Sequence, residues 1–130
     1  MSNWTHIAGA IYVETYIRRK NIKKHIEKII KDAPKITGSE DDADVFINPL
    51  SDYNVSSWKE DKNGNYITYQ TCVCITLVGD LRDRDINQTE KEYFEFINFI
   101  KEKEFDICFS SVAISENWSG EVRQYRGDTL

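Results

Sequence analysis

The 130-residue chain lacks the residue sets on which most recognisable enzyme sites depend. Only two histidines are present, which excludes a metal site built from several histidines of one chain. None of the six glycines belongs to a phosphate-binding loop of the Walker or dinucleotide type. No nucleophile is recognisably paired with a base, so the sequence predicts no catalytic residues, no cofactor and no metal.

Long apolar runs and a cysteine pattern that implies disulfides or zinc are also missing. No stretch approaches the roughly 20 apolar residues that span a bilayer, and the amino terminus has no signal-peptide core. The three cysteines are an odd set, and Cys72 and Cys74 share one face of a predicted strand without a zinc-type spacing. Reduced thiols are typical of the bacterial cytoplasm, where we expect the protein to be located, without a membrane partner.

Acidic residues outnumber basic ones, which gives a formal net charge of -5. This charge argues against broad nucleic-acid binding, because duplex-binding proteins present a basic surface. With 40% hydrophobic and 30% charged residues, the composition is that of one globular domain spanning residues 1–130. Basic residues crowd residues 18–31, and the acidic run 40–44 follows them. The two runs are interpreted either as a solvated helix face beside an acidic loop or as an anion-binding patch.

The hydrophobic pattern predicts the elements of the first third of the chain. Alternation over residues 4–13 predicts a strand. A helix is predicted from Asn21, a capping residue, to Pro34, because isoleucines recur between them at spacings of three and four. The apolar run 44–48 predicts a second strand, which Pro49 is expected to end.

Turn and capping signals predict the remaining elements. Asn63-Gly64 favours a tight hairpin turn between two strands within residues 53–77. Thr89 and Glu92 form a capping-box pattern that opens a second helix. The predicted apolar stripe of that helix consists of Tyr93, Phe94, Ile97 and Ile100. The last two strands, joined as a hairpin, are predicted over residues 107–115 and 121–125.

These elements predict an α+β fold, specifically a ferredoxin-like two-layer sandwich. Two helices that each follow a strand most easily pack on one face of a mainly antiparallel sheet, here of about six strands. Because an exposed face rich in large or soft side chains usually marks a partner, we expect homo-oligomerisation through the other face. The side chains expected on that face are Trp58, Tyr66, Cys72, Cys74 and Thr76.

The most informative segment is Thr76–Asp85, in which a buried strand is expected to end in a glycine turn with five charged residues. Such charges can pair with one another, fix the turn or bind a ligand, and the sequence leaves these alternatives open. Arginine forks suit phosphate and carboxylate groups, and aromatic rings suit stacking on a base. The predicted ligand-binding residues are Arg18, Arg19, Asp80, Arg82, Asp83, Arg84, Trp118, Arg123 and Tyr125. The alternative is that the arginines form surface ion pairs and the tryptophan is a core or interface residue.

Four short motifs together resemble a family of small proteins encoded by phages and prophages of Gram-positive bacteria. They are Asn3–His6, Gly38–Glu40, Asn48-Pro49 and Gly79–Asp83, and their spacing covers most of the chain. The family has no established activity to transfer. What the resemblance implies is a non-enzymatic accessory role, in particular one directed against host immunity.

Three functions remain open at this point. The leading hypothesis is a counter-defence protein that sequesters a nucleotide-type immune signal in a pocket formed by the oligomer. The first alternative is an inhibitor that covers a host defence nuclease or effector with an acidic, nucleic-acid-like surface. The second alternative is a small nucleotide hydrolase, which requires Asp80, Asp83 or Glu116 to be aligned with a base or a metal ion.

Overall fold

In the computed structural model, five strands form one antiparallel sheet and two helices pack on one of its faces. The structure describes residues 1–15, 22–53, 63, 70–103 and 105–127. In chain order the elements are β1 (Trp4–Thr15), α1 (Ile22–Ile30), β2 (Asp44–Tyr53), β3 (Gln70–Arg82), α2 (Ile86–Lys101), β4 (Phe105–Glu116) and β5 (Val122–Gly127). The α+β class is therefore confirmed.

The strand order β2-β3-β1-β4-β5 places β1 at the centre of the sheet. Each helix connects two strands that are not neighbours: α1 joins β1 to β2 across β3, and α2 joins β3 to β4 across β1. Because every neighbouring pair is antiparallel, the start of β1 meets the ends of β3 and β4. The charged segment after β3 and the Trp118 turn after β4 therefore lie at the same end of the sheet.

The hydrophobic core lies between the helices and one face of the sheet. Odd-numbered residues of β1 and β3 form that face, and Ile11 and Ile75, which are paired across the two strands, are fully buried. Ile26 of α1 and Ile100 of α2 belong to the same core cluster. Val73, Ile75 and Leu77 of β3 all face this core.

Even-numbered residues of β1 and β3 form the second sheet face, here called the open face. Its centre consists of small side chains such as Ala8, Ala10 and Thr76. Larger apolar side chains flank this centre, and Phe46, Val78 and Phe109 are 51%, 43% and 48% exposed, respectively. Cys72, Cys74 and Thr76 lie on this face as predicted, although Cys72 is buried there. Trp58 and Tyr66 lie outside the described residues.

Two strand predictions require correction. The structure describes five strands instead of about six, and the segment 54–62 that carried the sixth lies outside the described residues. The prediction that Pro49 ends β2 was wrong, because β2 continues to Tyr53. β2 is an edge strand, where proline is tolerated because its missing N–H would point away from the sheet. The pairing of β2 with β3 shifts register between Pro49 and Ser51.

Helix α2 begins three residues before the predicted capping box. Its N-cap is Asp85, whose carboxylate accepts a hydrogen bond of 2.8 Å from the backbone N–H of Gln88. Thr89 is consequently a buried residue inside the helix, and Glu92 accepts a hydrogen bond from the Thr37 hydroxyl at 2.6 Å. The predicted apolar stripe was also partly wrong, because Phe96 is buried whereas Phe94 is 45% exposed.

The extent and the buried side of α1 agree more closely with the sequence-based prediction than those of α2. Its described residues begin at Ile22 and its regular part ends at Ile30, four residues before Pro34. Ile26 and Ile30 form its buried side, as the isoleucine spacing indicates. Asn21 lies outside the described residues. Neither helix in the described part of the chain is long and apolar enough to cross a membrane.

Candidate functional site

The charged segment forms what we call the polar end of the sheet: Asn3, Arg82–Asp85 and Glu116–Ser119. Gly79 does not form the predicted turn, because β3 runs through it to Arg82. A Cβ atom at Gly79 would lie 2.8 Å from the Cα of Ala43, so glycine is needed there for close packing. The turn residue is Asp83, whose φ of 58° lies in the left-handed region that aspartate tolerates better than most residues.

Asn3 connects the three chain segments of the polar end, a role that sequence reasoning missed. Its side-chain amide donates to the carbonyl of Arg84 at 3.2 Å and to the Glu116 carboxylate at 3.0 Å. Its backbone carbonyl accepts from the N–H of Asp83 at 2.7 Å, and its side-chain oxygen accepts from the N–H of Trp118 at 3.3 Å. The only signal in the sequence was its place in the first of the four motifs.

Glu116 is the buried acid of the polar end. Its carboxylate accepts from the N–H of Ile86, the first residue of α2, at 3.0 Å. Hydrogen bonds from Ser119 and Asn3 lower the pKa of Glu116, and burial opposes this effect without cancelling it. The carboxylate therefore joins β4 to the start of α2 and to the residue before β1, and its donors are internal groups.

A cleft of about 790 Å³ opens at the polar end. Asn3 lines it together with Asp83, Arg84 and Trp118, so the structure brings three of the predicted site residues together. The Trp118 side chain is 67% exposed and is not a core residue. Asp85 and Glu116 also line the cleft, so its lining has three carboxylates against the guanidinium group of Arg84 and the amino group of Met1. The electrostatic character of the cleft is therefore acidic.

The two arginines of the charged segment both have local partners. Arg82 pairs with the Glu40 carboxylate, and its Nε donates to the Ser2 hydroxyl at 3.0 Å. Arg84 donates to the Thr37 hydroxyl at 3.3 Å and to the backbone carbonyl of Asp83 at 3.1 Å. The ion pair of Arg82 fits the sequence-based alternative of surface ion pairs, whereas Arg84 contacts a hydroxyl and the backbone of the turn.

Arg123 and Tyr125 lie elsewhere, on the helix-facing side of β5. Arg123 binds Glu90 of α2 at 3.2 Å and Glu121 at 2.9 Å, which raises the pKa of its guanidinium group. The Tyr125 hydroxyl donates to Glu90, and burial followed by this contact raises its pKa. Neither residue lines the cleft at the polar end. Arg18 and Arg19 lie outside the described residues.

Asp80 is directed away from Asp83, towards His6 on the open face. The carboxylate of Asp80 lies 2.6 Å from Nδ1 of His6, and Nε2 of His6 lies 2.9 Å from the side-chain oxygen of Asn117. His6 is thus a hydrogen-bonded strand residue. Ser115 is opposite His6 in the pairing with β4, but Nε2 is directed to Asn117. Asp80 and Asp83 are therefore not aligned around one reacting position.

Exposed carboxylates collect beside the end of β3 and form what we call the acidic patch: Glu40, Asp41, Asp42, Asp44, Asp80 and Asp83. The loop preceding β2 follows β3 closely, since the N–H of Ser39 donates to the carbonyl of Arg82 at 3.0 Å. Asp44 is paired with Val78, and Val78 is the neighbour of Asp80 on the same face of β3. Asp41, Asp42 and Asp44 form no ion pair within the described part of the chain.

The thiols and the carboxylates provide little for other chemistry. Burial, followed by the charge of Glu14, raises the pKa of Cys108 to about 12, which disfavours the nucleophilic thiolate. Among residues 1–15, 22–53, 63, 70–103 and 105–127, no three His, Cys, Asp or Glu side chains are grouped so that they could hold a metal ion.

Comparison with other proteins adds no assignment. No protein-family model matches the chain, and no curated protein or solved structure is significantly similar to it.

Proposed function

We propose that the protein is a non-enzymatic inhibitor that binds a basic site on a protein partner through the acidic patch and the adjoining open face. The observation that carries the proposal is the exposure of Asp41, Asp42 and Asp44 without a pairing cation in the described residues. A nucleic-acid-binding surface is rich in lysine and arginine, so a row of exposed carboxylates is complementary to it.

The surroundings of the acidic patch suit a protein partner. Val78 lies between Asp80 and Thr76 on the same face of β3, and Phe46 is paired with Thr76 from β2. Val78 and Phe46 are 43% and 51% exposed, which is large for apolar side chains in the middle of strands. An apolar centre bordered by charged groups is the usual arrangement of a protein–protein interface. The acids would direct the approach, and the apolar side chains would supply buried area.

The arginines support an acidic site in preference to an anion-binding one. Arg82 is paired with Glu40, and Arg123 with Glu90 and Glu121, on different sides of the sheet. A guanidinium group already bound to a carboxylate has less capacity to bind a phosphate. The predicted convergence of arginines on one pocket therefore receives support from Arg84 alone among the described residues.

The setting of this function is inferred from the resemblance to phage and prophage proteins. A phage protein with such a surface would act in the bacterial cytoplasm, where a host defence nuclease or effector presents its nucleic-acid-binding groove. We also infer a ferredoxin-like architecture, extended by β5, because the two helices cross over a neighbouring strand as in two interlocked split β-α-β units.

The proposal is tested by competition with DNA. Purified nucleases of bacterial restriction and RNA-guided defence systems are bound to a fluorescein-labelled DNA duplex, and the anisotropy of the duplex is followed as the protein is added. At least one effector should release the duplex, more readily at low salt than at high salt. Release should become about tenfold weaker when Asp41 and Asp42 are both replaced by Asn, since about 1.4 kcal/mol corresponds to that factor.

A matched control separates the acidic patch from net charge. Glu95→Gln with Glu102→Gln removes the same charge from exposed positions of α2 and the turn that follows it. This variant should release the duplex like the parent protein. Equal weakening by both variants, or the absence of release from every effector, would contradict the proposal.

A second candidate, sequestration of a nucleotide-type signal, is favoured by one observation. Trp118 is 67% exposed at the cleft of about 790 Å³, beside Arg84 and Asn3. Because the cleft is acidic, this function requires further cations from Arg18 and Arg19 or from a second copy in a homo-oligomer. Native mass spectrometry and tryptophan fluorescence with a panel of cyclic dinucleotides and trinucleotides test it. The expected result is a retained nucleotide and quenching that Trp118→Ala removes; no binding across the panel would eliminate this candidate.

A further inference from the structure

The outer edge of β5 offers backbone groups that no described strand pairs. The strand lies at the end of the sheet, and β4 is its only neighbour among the described strands. The N–H of Glu116 donates to the carbonyl of Glu121 at 3.0 Å, which establishes which residue pairs of the two strands are hydrogen-bonded. Since hydrogen-bonded pairs alternate along antiparallel strands, Arg123 and Tyr125 bond to β4. Val122, Gln124 and Arg126 therefore direct their N–H and C=O groups away from the sheet.

The two edges of the sheet differ in protection. On β2, Pro49 and the register shift that follows it interrupt regular pairing with any added strand. The pairing of β5 with β4 has no such shift, and β5 contains no proline. Val122 at its start is 59% exposed. Of the two edges that the described strands form, the β5 edge is therefore the better able to accept another strand.

A groove of about 310 Å³ runs between the β5 edge and α2. Tyr93, Phe94 and Ile97 of α2 line it from one side, and Tyr125 lines it from β5. The ring of Phe94 packs edge-on against that of Tyr125 at 5.4 Å and remains 45% exposed. The contacts of Glu90 with Arg123 and Tyr125 hold β5 against α2. The groove is thus an apolar surface held beside a free strand edge.

The charge of the groove is opposite to that of the protein. Lys101 and Arg126 line it, and no carboxylate of the described residues does, although the chain as a whole carries a net charge of -5. Neither Lys101 nor Arg126 makes an ion pair within the described part of the chain. Two unpaired cations beside apolar side chains favour a partner that combines acidic and apolar residues.

We propose that an extended segment of another protein, with alternating acidic and apolar residues, binds as an additional strand along β5. Backbone groups of Gln124 and Arg126 hydrogen-bond the segment, and every second side chain enters the groove against Phe94 and Ile97. Acidic residues of the segment alternate to the opposite face, where the Arg126 side chain lies, and pair with it. Strand addition of this kind obtains affinity from the main chain and selectivity from the alternating side chains. The site is separate from the acidic patch and does not depend on the proposed inhibitor function.

The probe is a fluorescein-labelled eight-residue peptide of alternating glutamate and leucine, titrated with the full chain and followed by anisotropy. Gln124→Pro removes an outward N–H at an edge position where proline is tolerated, and it should weaken binding about tenfold. Gln124→Ala keeps the backbone donor and should bind like the parent protein. Phe94→Ala, at a partly exposed position, should also weaken binding, and Arg126→Glu should reverse the preference towards a lysine–leucine peptide.

Several outcomes would overturn the proposal. One is undiminished binding by Gln124→Pro and Phe94→Ala, with both variants unfolding at the temperature of the parent. Another is equal binding of a peptide of the same composition with glutamates and leucines in separate blocks. A third is a dimer in sedimentation that Gln124→Pro converts to a monomer while no peptide binds, because the occupant of the edge would then be a second copy of the chain.

Discussion

The two faces of β3 show how adjacent residues of one strand acquire different roles. Val73, Ile75 and Leu77 are completely buried under the helices. Val78 and Asp80 on the opposite face are exposed beside the acidic loop. The first face stabilises the fold through apolar burial, whereas the second offers charge and apolar area to a partner. Substitutions should therefore separate stability from binding when matched residues on the two faces are compared.

The largest expected effect comes from the same substitution on the two faces. Val73→Ala removes two methyl groups from a fully buried position and should lower the free energy of unfolding by about 2–3 kcal/mol. Val78→Ala, at a position that is 43% exposed, should lower it by less than about 1 kcal/mol. Guanidinium chloride denaturation measures both values. Equal losses would mean that the open face is as well packed as the core.

The next effect concerns Glu116, the acid that joins the two layers at the polar end. Glu116→Ala leaves the N–H of Ile86 without its acceptor and the side-chain amide of Asn3 with the Arg84 carbonyl alone, which should cost about 2 kcal/mol of unfolding free energy. Because the folded-state pKa is lowered from 4.5, the contribution is present above that pH and is lost as the pH falls through the folded value. Glu116→Gln should flatten this acid dependence in urea denaturation between pH 2 and 6. A parent and variant with parallel acid profiles would exclude this role.

A smaller loss is expected for Gly79→Ala, which tests the contact between β3 and the acidic loop. The added Cβ would lie 2.8 Å from the Cα of Ala43, so the loop must shift, at a cost of about 1–2 kcal/mol. Thermal unfolding measures the loss. An unchanged melting temperature would show that the loop moves freely and that the acidic patch is not held in place.

The smallest effect on stability is expected for Phe46→Ala on the open face. Its side chain is 51% exposed, so the free energy of unfolding should change by less than about 0.5 kcal/mol. Release of DNA from a susceptible effector should nevertheless weaken, because apolar area at the proposed interface is removed. Full inhibition by Phe46→Ala would restrict the interface to the acidic patch.

Local patterns of the sequence predicted much of the architecture. Alternation predicted β1, the face assigned to Cys72, Cys74 and Thr76 in β3 was correct, and the isoleucine spacing gave the buried side of α1. The helix after β3 was predicted, but its first residue was not. Asp85 and Thr89 are both residue types that cap helices. The direction that the chain takes after the turn at Asp83 makes Asp85 the cap. Pro49 was predicted to end β2, because the sequence does not show that β2 is an edge strand, where proline is tolerated.

The candidate site was predicted only in part for a similar reason. Asp83, Arg84 and Trp118 meet at one cleft, since β3 and β4 both end beside the start of β1. Arg123 and Tyr125 were expected to join them, but alternation along β5 directs both to α2 and Glu90. Asn3 and His6 acquire their partners across more than 70 residues, which no local pattern encodes.

The sequence by itself determined the elements, the buried face of each strand and the acidic net charge, because these depend on residues within a few positions of one another. Only the tertiary structure decided which charges are neutralised and which remain exposed. Glu40 and Arg82, or Glu90 and Arg123, become partners through strand order and helix crossing, whereas Asp41, Asp42 and Lys101 have no ion-pair partner in the described part of the chain. Electrostatic pairing acts over a few ångströms in space, and only folding brings residues distant in the chain within that range.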